Sequence, residues 1–367
     1  MYQKFLIREN LQELLNVLQN EGYVIIGPQV EQGAIVYEEM TTVEQLPKGI
    51  QDKQSPGSFS LVESGSDRYF SWAAATHSIK PLCFSPREIL WRSDHAPGRQ
   101  LNFEEVVPEV KPTAVLGVRA CDLAGLILQD RHFLFQEYTD PHYAQRRESL
   151  FLIAVNCSNP ADTCFCASTG DGPCAKGSYD LVLTELDEGF IIADGSERGK
   201  NIIDLLFLPD VAAEQLQAQI QQEKDAVAKQ SRHLPNTDFV SILKEQQEHD
   251  HWSDIGQRCL ACGNCTAVCP SCFCHSKQDH SMLGATTVEH VRQWDSCFGH
   301  DHSYIHGIVI RAETRTRYRQ WMTHKFSSWV EQYGRSGCTG CGRCITWCPV
   351  EIDVTRELAV LCGISDD

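Results

Sequence analysis

The 367-residue chain is expected to be α+β, with a mixed α/β portion first and a mostly helical portion after it. Three observations predict this. Short apolar runs alternate with helical patterns through the first half. The 18 cysteines are unevenly spread: none falls between residues 175 and 258, and twelve follow. The last third then carries an aromatic stripe at helical spacing between two dense cysteine runs. The expected domains are residues 1–230 and 240–367, joined by the polar stretch SRHLPNTD.

The elements follow in order. Within 9–21, Leu11, Leu14, Leu15 and Leu18 share one helical face, and Gly22 is a natural stop. Strands are expected at Tyr23–Ile26, Thr113–Val118, Phe151–Val155, Tyr179–Leu186 and Phe190–Ala193, where apolar and β-branched residues concentrate. Cys121–Phe133 reads as a helix with Leu123, Leu126 and Ile127 on one side. Residues 210–230 combine high helix propensity with a polar face. Tyr318, Met322, Phe326, Trp329 and Tyr333 form the stripe of one amphipathic helix ending at Gly334, a core-facing pattern.

Composition excludes several classes of function. Apolar residues make up 42% and charged residues 22%, enough to build cores and too little charge for a disordered chain. A net charge of −17 opposes nucleic-acid binding, which draws most of its affinity from phosphate neutralisation. The same acidity can steer the chain toward a basic patch on a partner protein. The start MYQKFLIREN lacks the apolar core of a signal peptide, and no apolar run is long enough to cross a bilayer, so a cytoplasmic location is expected. In a reducing compartment, closely spaced cysteines read as metal ligands and not as disulfides.

Two runs carry the chemistry. RCLACGNCTAVCP holds Cys259, Cys262, Cys265 and Cys269, and GCTGCGRCITWCPV holds Cys338, Cys341, Cys344 and Cys348. Each has the spacing C-x2-C-x2-C-x3-C-P of the bacterial ferredoxin run. A cubane needs four thiolates aimed at the corners of one small cube. The x2 gaps turn successive side chains inward, and Gly263, Gly340 and Gly342 let the backbone wrap closely and point N–H groups at anionic sulfur. Zinc ribbons also use x2 gaps, but three of them followed by x3-Cys-Pro, twice over, is not a zinc pattern. In two-cluster ferredoxins the fourth cysteine of each run serves the other cluster. The expected sets are therefore Cys259, Cys262, Cys265 and Cys348 for one [4Fe–4S] cluster, and Cys338, Cys341, Cys344 and Cys269 for a second. The second portion is thus expected to be a helical, ferredoxin-like dicluster domain.

A third constellation lies in the first portion. Cys121 follows the apolar strand AVLGV and opens a helix, a position that stabilises anionic sulfur. Cys157 follows the strand FLIAV, and Cys164-Phe-Cys166 sits in a Gly- and Pro-flanked loop. Strand ends lying side by side would join these four thiols into a third [4Fe–4S] site, the alternative being buried free thiols. Cys174 is left out of this set. Cys272, Cys274 and Cys297 could hold part of another cluster, displace Cys269 as a ligand, or pack around the first cluster. Cys83 and Cys362 are expected as free thiols. His300, His302 and His306 lack a carboxylate partner at a known metal spacing and are read as surface or structural residues. Arg311, Arg315, Arg317 and Arg319 form a local basic patch, read as charge compensation near a cluster or as a solvated helix face paired with acids. No G-x-G-x-x-G follows a strand, no Walker A sequence is present, and no nucleophile–base arrangement can be read. The chain reads as an electron carrier with no active site of its own.

The segments GVRACDLAGL, NCSNPADTCFC, CLACGNCTAVCPSCFC, RQWDSC and GCTGCGRCITWCP, in that order, resemble the iron–sulfur β subunit of soluble NAD(P)-linked [NiFe] hydrogenases (sulfhydrogenases). The A subunit of anaerobic sulfite reductase looks similar. By motif, the resemblance covers about residues 110–355. It implies a hetero-oligomer in which this chain relays electrons between a flavin- and NAD(P)-binding subunit and the small and large [NiFe] hydrogenase subunits. The paired cysteine motifs with which a large subunit holds nickel are missing, so hydrogen chemistry would occur elsewhere. Delivery of electrons to a sulfite reductase, or a structural iron–sulfur scaffold, are the alternatives.

Overall fold

The structure, a computed structural model, describes residues 2–94, 100–281, 283–284 and 286–364. Its main strands are β1 (Gln3–Ile7), β2 (Val24–Glu31), β3 (Ala34–Glu39), β4 (Ile50–Ser55), β5 (Ser58–Glu63), β6 (Arg87–Asp94), β7 (Asn102–Glu105), β8 (Thr113–Val118), β9 (Leu150–Val155), β10 (Leu181–Glu185), β11 (Gly189–Asp194), β12 (His275–Ser281) and β13 (Thr287–Trp294). Together with the helices they make an α+β architecture, as the sequence indicates.

The largest sheet has seven strands in the order β1-β11-β10-β9-β8-β2-β3. Its four central strands, β10, β9, β8 and β2, are parallel, and the edges are antiparallel. Every residue of β9 is buried, as a parallel strand covered on both faces requires. One face packs Leu116, Ile153 and Leu183 against Leu14, Leu15 and Leu18 of helix Leu11–Asn20. The opposite face packs Val115, Leu152 and Val182 against Leu123 and Leu126 of helix Ala120–Phe133 and against Tyr143. Cys83 is buried in this second core. The parallel strands β8 and β9 thus end side by side, each leading into a cysteine-bearing segment.

Expectation and structure part in three places. The strand expected at Tyr23–Ile26 runs on as β2 to Glu31, through Gly27 and Pro28, because β3 supplies an antiparallel partner along Ile26–Glu31. The stripe helix is interrupted: Thr314–Thr323 and Trp329–Tyr333 are joined by a wider π turn at His324–Ser328. All five stripe residues are nonetheless buried. The third difference lies in the second portion, which is not helix and loop alone. β12 and β13 form a hairpin, and β13 pairs with β6 from far up the chain, giving a four-stranded sheet β12-β13-β6-β7. The β12 segment HSKQDHS has no apolar alternation to announce a strand. The neighbouring ladder supplies its pairing.

Candidate metal centre

Both cysteine runs fold alike. Gly263 (φ +78°) and Gly342 (φ +76°) adopt the left-handed conformation and cap one-turn helices, Asn264–Ala267 and Arg343–Thr346, that carry Cys265 and Cys344. Backbone amides then reach the sulfurs. Ala261 N–H donates to Cys259 Sγ at 3.4 Å, Gly340 N–H to Cys338 Sγ at 3.4 Å and Ile352 N–H to Cys348 Sγ at 3.3 Å. Such donors stabilise anionic sulfur.

The thiols gather in sets that cross between the runs. Cys265 faces Cys259, Cys262 and Cys348, and Cys259 faces Cys348. These four line a small cavity walled by Phe298, Tyr318 and Trp321. Cys344 faces Cys338, Cys341 and Cys269, and these four line a second small cavity under Phe165 and Phe326. The two sets adjoin, since Cys344 also faces Cys265. Burial pushes the Cys338 thiol up to about 12 and holds Cys265 and Cys344 well above the ordinary thiol range. A buried thiolate therefore needs a bound cation, and a coordinating metal supplies one. Among the described residues no three His, Cys, Asp or Glu groups converge closely enough for a single metal ion. Four cysteines lining each cavity are the donor set that a four-iron core would take.

A third gathering abuts the second. Cys164 faces Cys166 and Cys157, and Cys166 faces Cys157 and Cys341. Cys121 packs with Cys166 and Cys341, so it stands between this group and the second set. Cys174, which sequence reasoning set aside, lies beside Cys157 and Cys166 with Glu223. The packing here is tight: a Cβ on Gly340 would lie 2.5 Å from Cys166 Cα, and one on Gly342 2.4 Å from the Thr163 carbonyl oxygen. Phe165 N–H donates to the Gly340 carbonyl at 2.8 Å.

The charges near these sets were only partly legible. Arg343, inside the second run, is fully buried and grips Asp122 bidentately at 2.6 and 2.9 Å, with Nε on the Ala75 carbonyl. Its charge is already neutralised. Lys325, unnoticed in the sequence, is buried with Nζ 3.3 Å from Cys269 Sγ and 3.1 Å from Ser271 Oγ. Burial alone would lower its pKa, but the Cys269 and Cys272 sulfurs outweigh that and raise it well above the usual value. The basic patch is dispersed. Arg315 pairs with Glu313 and Arg319 with Glu248, while Arg317 is buried against the Phe298 carbonyl. His300 is exposed beside Asp301. His302 instead pairs with Asp295 through Nδ1 at 3.0 Å. Cys272 and Cys274 share the lining of an open cleft with Cys262. Cys362 is half-buried at the end of helix Val354–Leu361.

No helix among the described residues is long and apolar enough to cross a membrane. Residues 258–352 match the 4Fe-4S dicluster domain family. The chain is 29% identical over 249 residues to sulfhydrogenase 2 subunit beta of Pyrococcus furiosus, covering 66% of this chain and 72% of that protein. The chain is thus similar to a sulfhydrogenase β subunit and carries a 4Fe-4S dicluster domain, which supports the resemblance carried by the motifs and an iron–sulfur electron-transfer subunit.

Proposed function

We propose that the chain is the electron relay of a cytoplasmic, hetero-oligomeric oxidoreductase. It would carry electrons between a flavin- and NAD(P)-binding subunit and the small and large subunits of a [NiFe] hydrogenase. In this reading residues 240–367 hold two [4Fe–4S] clusters, on Cys259, Cys262, Cys265 and Cys348 and on Cys338, Cys341, Cys344 and Cys269. Residues 1–230 hold a third near Cys157, Cys164 and Cys166, with Cys121 or Cys174 completing it. The observation that carries the proposal is contiguity. Cys265 and Cys344 line both cavities together, and Cys341 packs with Cys166 between the second set and the third gathering. When bound, the clusters supply one-electron carriers. The chain's own residues exclude water with aromatic walls, donate backbone N–H groups to sulfur and set a buried ammonium at Cys269. Cys262 is exposed and Leu260 stands 64% exposed beside it, so the first set lies where a partner can approach.

The test is Cys341→Ser in the assembled complex. The partner's flavin should remain reducible by NAD(P)H while transfer beyond it stops. Undiminished hydrogen-linked NAD(P) reduction would count against the relay. Nickel co-purifying with the chain supports the hydrogenase complex, whereas siroheme would assign it to a sulfite reductase.

A further inference from the structure

A cleft of about 700 Å³ opens over the third gathering, on the side away from the two cysteine runs in sequence. Its walls are Phe5 of β1, the turn between β10 and β11, residues 66–71 and one face of helix Ala213–Ala228. Three routes join its floor to the gathering. Ser158 lines it and directly follows Cys157. Lys229 lines it, donates to the Ser158 carbonyl at 3.4 Å and precedes Gln230, whose side-chain amide donates to Cys166 Sγ at 3.4 Å. Ser71 lines it two residues before Ala73, which packs on Cys164. Ser71 and Ser158 are only 4% and 9% exposed, and neither hydroxyl has a hydrogen-bond partner among the described residues. Hydroxyls so placed are left for a polar group that enters the cleft. The charges select its sign. Arg68 is already engaged, by Asp187 at 2.7 Å and Gln222 at 2.8 Å, and Asp225 accepts from Gln221 at 2.7 Å. Glu188 and Glu214 line the cleft, are exposed and form no ion pair among the described residues. With Lys229 held on a carbonyl, the lining carries an excess of negative charge that favours a cationic occupant and repels phosphate.

We infer that this cleft is the docking site for a basic segment of the protein that exchanges electrons with the third gathering. Lys or Arg side chains of that segment pair with Glu188 and Glu214, and their donors reach the Ser71 and Ser158 hydroxyls. The inference rests on the electron-carrier reading above and adds to it where one of the two partners binds. The exposed Cys262 marks the other end of the chain's carriers. Transfer at the cleft moves one electron between the third site and a one-electron carrier of the docked protein. One is oxidised as the other is reduced, and no bond is made or broken. The net charge of −17 draws a basic partner from a distance, and the unpaired carboxylates fix where it seats.

The experiment uses the full cluster-bearing chain, kept without oxygen. Binding of fluorescein-labelled decalysine is read by anisotropy. Electron delivery from the dithionite-reduced, desalted chain is read with cytochrome c, a basic one-electron acceptor. The wild type should bind decalysine and reduce cytochrome c, both less well as salt rises. The double variant Glu188→Lys/Glu214→Lys should weaken both by about tenfold or more. Ala218→Trp, which fills the cleft without changing its charge, should do the same. Glu104→Lys/Glu105→Lys makes an equal charge change on β7, outside the cleft, and should alter neither signal much. Iron content and EPR spectra at wild-type values show that each variant has folded. Equal weakening by the two charge reversals overturns the inference, because general acidity then explains the binding. Unchanged binding in Ala218→Trp overturns it, because the cleft is then not the seat. Spermine bound in the cleft with decalysine excluded makes it a small-molecule site and also overturns docking. Each of these results leaves the carrier standing. A wild type without clusters, or with clusters that reduce no acceptor, overturns the carrier reading itself.

Discussion

At the scale of single residues, two buried cations beside the second set have opposite tasks. Arg343 is spent on Asp122, both side chains being essentially inaccessible. Removing one partner of such a pair strands the other charge, at about 3–5 kcal/mol. Arg343→Gln should therefore lower the thermal midpoint clearly, while its effect on the cluster potential is small because the pair is close to neutral. Among the described residues Lys325 has no carboxylate partner, and it reaches Cys269 Sγ directly. A cation there favours adding an electron, so Lys325→Met should shift the potential of the second cluster downward in an EPR-monitored titration. A potential unchanged by Lys325→Met, or shifted more by Arg343→Gln, would contradict this division.

At the scale of elements, the second run is held by its contact with the loop at residues 163–166. Gly340 and Gly342 have positive φ and also lack space for a Cβ. Gly340→Ala should therefore cost the chain bound iron as well as stability. Gly170 also has positive φ, but nothing lies within 4 Å of a Cβ there. Gly170→Ala should cost only the backbone term, about 1–2 kcal/mol, with iron content retained. Equal iron loss in both variants would show that the close packing is not what matters. The sequence announced elements wherever local pattern and tertiary environment agree. β8 has the expected bounds, helix Leu11–Asn20 buries the four leucines of its stripe, and the two runs give the crossed gathering of thiols. It was silent where pairing is remote. β12 is polar and borrows its ladder from β13, which pairs with β6 some 200 positions away. Lys325 was hidden within an aromatic stripe and sits in the π turn that breaks it. Cys174 reaches Cys157 only through the fold of the intervening loop, which no spacing rule describes.

At the scale of the molecule, two sheets and a helical layer bring three gatherings of thiols into contact across the chain. The end of β8 leads to Cys121, which packs with Cys341 of the second run, the end of β9 leads to Cys157 beside Cys164 and Cys166, and the β6–β13 pairing binds early sequence to late. In the proposed reading this arrangement would make the chain a continuous path from the third gathering to the exposed Cys262. Iron and acid-labile sulfide counted on the purified chain, together with low-temperature EPR after reduction, test that claim most directly. Three four-iron clusters predict about twelve iron and twelve sulfide per chain, with interacting signals that lose one component in Cys341→Ser. Metal bound without inorganic sulfide, or clusters that remain oxidised while the assembled complex turns over, would contradict it.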